Sequence, residues 1–343
     1  MKKLAALLLP AALGLAACSS PASTDGASGD GDKPTVVVAF YGLEYTAKQV
    51  VGDAAEVQTL TAPGQEAHGL ELKPSQVADI GKADLVMYLH QFQPAVDEAV
   101  EQSGNEHVLD VAKTVELLPA SEQGHDHDHG EEGHDDHAEE GHDHSEEGHD
   151  HSEEGHDEHA DEGHDEHDHG DHDPHYWLDP KRMTEVGQAM ATQLGEQYPD
   201  LKDTFTKNAD AFAKEMSTLD EEYRAGLTSC DRKEFITAHA AFNYLAHEYG
   251  LTEIGISGIN PDGEPSPARI AEVQGLAKEH HVTTIFFETL TSPAVSKAIA
   301  GDLGLKTAVL DPLEGVTDKS PGDDYPSIMR ANLKALKEAN GCH

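Results

Sequence analysis

Short apolar runs alternate with amphipathic stretches along most of this chain. Val36-Val37-Val38-Ala39-Phe40 contains no polar side chain, the pattern of a strand covered on both faces. Residues 57–60, 85–89 and 107–109 predict three further strands, and residues 43–51, 74–80 and 93–102 predict helices between them. Pro74 and Pro94 suit a helix's first turn. The alternation returns in the second half. Strands are predicted at 235–237, around Ile254, at 284–287 and at 307–310; helices at 240–249, 267–279 and 293–303, with 332–339 in a closing helix. Such alternation predicts an α/β fold, here two parallel-sheet lobes flanked by helices. Between the lobes, Leu201, Phe205, Phe212, Met216, Leu219, Tyr223 and Leu227 recur at intervals of three, four or seven, one apolar face of a long helix. At about 1.5 Å per residue, the helix 201–227 spans about 39 Å. That is enough to join a lobe at 34–200 to one at 228–343, although periodicity alone fits a core helix within one lobe equally well.

Charge changes the picture in one place. The chain has 343 residues and a net charge of −43. Residues 122–173 carry 24 Asp/Glu, 15 His and no Lys or Arg, so they supply −24 of it. The units Glu-Glu-Gly-His-Asp-x-His recur there with slippage. With no apolar residue larger than alanine, this stretch cannot bury a core and is expected to be disordered without metal. An acidic solvating tail accounts for the carboxylates but not for the histidines, whose imidazoles suit zinc, copper and nickel. The absence of a basic stripe argues against nucleic acid as a partner.

The N-terminus reads as an export signal. Lys2 and Lys3 precede an apolar run at 4–17, shorter than the roughly 20 residues a membrane span needs. Leu15-Ala16-Ala17-Cys18 resembles the lipobox of bacterial lipoproteins. That resemblance implies removal of a signal peptide, 1–17, and lipid on Cys18, holding the chain at the outer face of the cell membrane. The Ser/Gly/Asp-rich residues 18–33 make a flexible tether. Cys230 and Cys342 remain in the body, and an even pair in an oxidising compartment suggests a disulfide.

Few histidines stand outside the repeat. His68 lies in the turn-rich stretch Gly64-Gln65-Glu66-Ala67-His68-Gly69, and His175 in Asp173-Pro174-His175-Tyr176-Trp177. His239 follows a predicted strand, and so does Asp311, which precedes Pro312. In open α/β sheets the carboxyl ends of strands line the ligand crevice. Three imidazoles and a carboxylate match zinc's ligand set. Singly, each also reads as a loop or helix-capping residue.

The chain resembles the zinc and manganese substrate-binding proteins of bacterial ABC importers, across nearly everything after the tether. The stretches that carry the resemblance are Glu66-Ala67-His68-Gly69-Leu70-Glu71-Leu72-Lys73-Pro74-Ser75, Ala83-Asp84-Leu85-Val86, Pro174-His175-Tyr176-Trp177-Leu178-Asp179-Pro180, Thr237-Ala238-His239-Ala240-Ala241-Phe242-Asn243-Tyr244-Leu245 and Leu310-Asp311-Pro312-Leu313. The resemblance implies two α/β lobes bridged by a rigid helix, with the ion held in the cleft by one ligand from each of four loops. Carried over, the metal ligands are His68, His175, His239 and Asp311. Histidine at the third position marks zinc members, where manganese members usually have glutamate. A His/Asp-rich insertion before the second ligand is also frequent in zinc members. In one departure, many members read His-Asp where this chain has His68-Gly69, with Glu66 upstream as a possible supporting carboxylate.

The function implied is capture of Zn2+ outside the cell by a monomer, which passes it to an ABC permease with a separate ATPase. A manganese-type subunit and a zinc-storing surface adhesin are the alternatives. A zinc hydrolase is disfavoured, since no His-Glu-x-x-His stretch exists, and no Walker-type phosphate loop is present. Protons compete for imidazole, so affinity is expected to fall below about pH 6.5.

Overall fold

The computed structural model describes residues 33–120 and 172–343. The signal peptide, Cys18, nearly all of the tether and residues 121–171 of the repeat lie outside the described residues.

Strands β1 (Thr35–Val38), β2 (Glu56–Thr59), β3 (Leu85–Tyr88) and β4 (Val108–Asp110) form one parallel sheet in the order β2-β1-β3-β4. Val36 pairs with Val57 on one side and Leu85 on the other. Val36, Val37 and Val38 are fully buried, because α1 (Tyr41–Val51), α2 (Pro74–Ile80) and α3 (Pro94–Ser103) form the crossovers that a parallel sheet requires. β2 is an edge strand, so its side chains alternate between exposed and half-buried.

The second lobe repeats this plan. β5 (Glu234–Thr237), β6 (Thr252–Gly255), β7 (Thr284–Phe287) and β8 (Lys306–Val309) run parallel in the order β6-β5-β7-β8. The connecting helices are α6 (Asn243–Tyr249), α7 (Pro267–Glu279) and α8 (Ala294–Leu303), and α9 (Tyr325–Asn340) closes the fold. One face of this sheet adds Phe235 and Phe286 to the core shared with the first lobe. The other buries Ile236, Ile254, Ile285 and Val273 in a smaller cluster.

Between the sheets run α4 (Pro180–Gln197) and α5 (Lys202–Leu227). The long helix was expected from its apolar face; α4, which packs along it, was not. Gly187 of α4 permits their close approach, since a Cβ there would sit 2.8 Å from the Phe212 ring. Toward its other end, α5 places Tyr223 against the second lobe. The Tyr223 hydroxyl donates to Met329 O at 2.6 Å, and its ring stacks on Tyr249 at 4.9 Å. α5 therefore touches both lobes, which settles the choice that periodicity left open.

Cys230 and Cys342 form a disulfide across 112 residues of sequence, and His343 N donates to Ser229 O beside it. A closed loop of this length stabilises by about 4–5 kcal/mol in the chain-entropy model, and measured losses run at about 2–4. Cys342→Ser is therefore expected to lower the denaturant midpoint by the equivalent of about 2–4 kcal/mol. An unchanged midpoint would show that the packing of α9 alone fastens the terminus.

Candidate metal centre

Four loops at the carboxyl ends of the strands deliver four side chains to one point. His68 Nε2, His175 Nε2 and His239 Nε2 lie 3.4, 3.3 and 3.3 Å from Glu314 Oε1. One ligand atom from each residue falls within 4.8 Å of all the others, and all four residues are buried. A tetrahedral zinc ion with bonds of about 2.0–2.1 Å separates its ligand atoms by about 3.3 Å. The three edges to Glu314 already have that length.

Each loop is held by its own polar contacts. Glu66 folds the first, its carboxylate accepting from His68 N at 2.9 Å and Gly69 N at 3.1 Å. Gln93 donates to Ala67 O at 2.8 Å from below, and the Phe92 ring stands 4.8 Å from the His68 ring, nearly perpendicular to it. On the second loop, Asp173 Oδ1 accepts from both the backbone N and the Nδ1 of His175, at 2.9 and 2.8 Å. Asp173, at the edge of the stretch expected to be disordered, is thus a fully buried anchor. In the second lobe, Glu288, just beyond β7, accepts from His239 Nδ1 at 2.7 Å. Buried Glu253 brackets the same loop, accepting from the Thr237 hydroxyl and from Phe242 N. A carboxylate on Nδ1 fixes the ring and turns Nε2 inward, the usual second contact of a metal-binding histidine.

The fourth position differs from the sequence expectation. Asp311 is buried, but its carboxylate is engaged locally, Oδ1 accepting from Leu313 N at 2.9 Å and Oδ2 from the Thr289 hydroxyl at 3.1 Å. Its backbone exchanges two hydrogen bonds with the Asn332 amide. Trp177 Nε1 donates to Pro312 O at 2.7 Å, and Leu313 adopts a left-handed φ of 59°. The chain is thereby turned so that Glu314, three residues on, faces the histidines. Glu66, the other carboxylate considered, folds the His68 loop and is not one of the four clustered residues.

Burial and charge compete here. Burial lowers His175, but the Asp173 carboxylate outweighs it and leaves the imidazole at about 9. His239 is likewise depressed by burial yet carried well above its usual value by Glu288. At His68 burial is the larger effect and holds the imidazole low, against the upward pull of Glu314. Burial alone would raise Glu314; the three imidazoles overcome this and hold it well below the usual carboxylate range. Glu66 is pushed up to about 7 by burial and by the charge of Glu314. Among the described residues, His175 Nε2, His239 Nε2 and Glu314 Oε1 make no hydrogen bond. Both nitrogens face Glu314 Oε1 at 3.3 Å without the directed bonds that buried polar atoms normally make, and a cation among them would supply those bonds.

Two parallel-sheet lobes with a buried cluster of three imidazoles and a carboxylate define a solute-binding protein of the metal-binding class. The comparisons narrow this. Residues 36–339 match the family described as zinc-uptake complex component A, periplasmic (ZnuA), and the chain belongs to that family. It is 37% identical to the zinc-binding lipoprotein AdcA of Streptococcus pneumoniae over 345 aligned residues, covering 98% of this chain and 61% of that protein. The chain therefore spans about three fifths of that relative's length. It is 34% identical to the high-affinity zinc uptake system protein ZnuA of Bacillus subtilis, with 95% and 93% of the two chains covered. Among solved structures, the Zn(II)-bound ZnuA-like domain of S. pneumoniae AdcA superposes with a TM-score of 0.67 at 32% identity, covering 90% of this chain and 99% of that one.

Proposed function

We propose that this chain is the extracytoplasmic zinc-binding subunit of an ABC importer, capturing Zn2+ and delivering it to a membrane permease driven by a separate ATPase. The observation that carries this reading is the buried convergence of three imidazole nitrogens on the Glu314 carboxylate. His68, His175, His239 and Glu314 are the proposed ligands, two from each lobe or its flanking loops. Three imidazoles favour zinc over manganese, which prefers more oxygen ligands. Four protein ligands complete zinc's usual shell and leave no position for an activated water, which suits capture and release. Lipid on Cys18 would hold a monomer at the outer face of the membrane, with residues 121–171 gathering ions nearby.

The test is metal content. Full-length protein, prepared without added metal and dialysed against a chelator of moderate strength, is expected to retain one zinc per chain. The repeat's weaker sites should empty. Retention of no metal, or preferential retention of manganese when both ions are offered, would defeat the reading.

A further inference from the structure

The proposed ligands are sealed: His68, His175, His239 and Glu314 are exposed by 3, 0, 1 and 1%. An ion must displace something to reach them. Directly beside them lies a cavity of about 490 Å³ whose lining includes His90, Gln91, Phe92, Glu116, His172 and Pro174. Two of these residues belong to both places. Phe92 is fully buried with its ring 4.8 Å from that of His68, and Pro174 directly precedes His175. A single aromatic ring therefore separates cavity and cluster on the His68 side.

The lining is largely apolar, with Leu89, Ala112, Val115 and Leu117, but it carries two imidazoles and a carboxylate. His90 presents a half-exposed imidazole whose Nδ1 lies 3.2 Å from Asp97 Oδ1. Glu116 and His172 are exposed on the opposite stretch. Imidazole and carboxylate are zinc's preferred nitrogen and oxygen donors, and without convergence they bind weakly and release readily. An ion with six waters occupies about 180 Å³ at about 30 Å³ per water, so the cavity admits it hydrated. Gln91, between His90 and Phe92, has a left-handed φ of 67°. The placement also has an independent mark. Pro119 and His172 form a β-bridge, Asp173 N donates to Leu118 O, and the Tyr244 hydroxyl accepts from Leu118 N and donates to Asp173 O. Both ends of the histidine-rich stretch are thereby pinned at the cavity's rim.

We propose that this cavity is a loading station: a hydrated zinc ion is held transiently by His90, His172 and Glu116, then passes Phe92 to the buried cluster. The proposal rests on the reading of that cluster as the zinc site.

Trp177 makes the test possible in the full-length chain. It is the only tryptophan, and its ring lies 5.2 Å from that of His175. Its emission therefore reports filling of the buried cluster and not of the repeat. Zinc alone is mixed with metal-free protein in stopped flow, and affinity is measured separately by chelator competition. For the double variant His90→Ala/His172→Ala, the loading rate is expected to fall about tenfold, in the range over which local capture by charge alters association, with affinity held within about twofold. An unchanged rate would overturn the station. So would a loss of affinity matching the loss of rate, because both residues would then act on the buried cluster itself. A parent protein that shows no tight zinc site by chelator competition would instead overturn the cluster assignment, and the station with it.

Discussion

Glu314→Gln is expected to weaken zinc binding by about a hundredfold or more, whereas Asp311→Asn should keep one tight site and lose stability instead. Removing a contact one shell out from a metal typically costs 10–100-fold, and losing a direct ligand costs at least that much. Glutamine keeps the volume of Glu314 but removes the charge that faces three imidazole nitrogens at 3.3–3.4 Å. Two of those rings are held protonated by carboxylates on their far sides. Asp311 acts differently. Its carboxylate receives Leu313 N and the Thr289 hydroxyl, so it shapes the turn that aims Glu314 without reaching the cluster. Asparagine can still accept from Leu313 N but loses charge assistance and presents an amide toward Thr289. A buried hydrogen bond disturbed in this way costs about 1–3 kcal/mol. Competition against a chelator strong enough to empty the repeat gives affinity, and thermal unfolding of the metal-free proteins gives stability. If Asp311→Asn abolished tight binding while Glu314→Gln kept it, the ligand assignment would be reversed.

The sheets were legible because their central strands are buried on both faces. Such strands read as unbroken apolar runs, as at Val36-Val37-Val38 and Ile285-Phe286. The three histidines were legible through the motifs that carry the family resemblance, since six other histidines also stand outside the repeat. Glu314 was hidden by local backbone geometry. Asp311 lies at the strand end, where a ligand is normally sought, and only the left-handed turn at Leu313 carries the chain past it. Nothing in a leucine announces a positive φ. Glu288 and Asp173 were missed for different reasons. Glu288 is one acidic residue among many after a strand, and Asp173 was counted into the repeat that it terminates. α4 carries its own signals in the sequence. Asp179 accepts from Lys181 N as a cap, Pro180 occupies the first turn, and Met183, Val186, Met190 and Leu194 follow at helical spacing.

Zinc affinity is expected to climb steeply between pH 7 and 9, by close to two log units per pH unit at first, as two protons give way to each ion. Unperturbed imidazoles near 6.5 would give a flat dependence in this window. Here His175 sits at about 9 and His239 is raised well above its ordinary value, each held by its carboxylate against the pull of burial. Both are therefore protonated in the metal-free protein at pH 7 and must lose that proton before Nε2 can coordinate. His68, lowered by burial, is already neutral and releases none. The sign for folding runs the other way. A raised imidazole contributes stability to the metal-free protein that is fully present below about 6.5 and is lost as pH rises through about 9. Metal-free protein should thus soften over the same interval in which zinc binds more tightly, and the gap in Tm between the two forms should widen with pH. Calorimetric titration at pH 7 in buffers of different ionisation enthalpy counts the protons directly, with about two expected per zinc. Release of none, with an affinity flat from pH 7 to 9, would mean that Asp173 and Glu288 orient the rings without holding their charge.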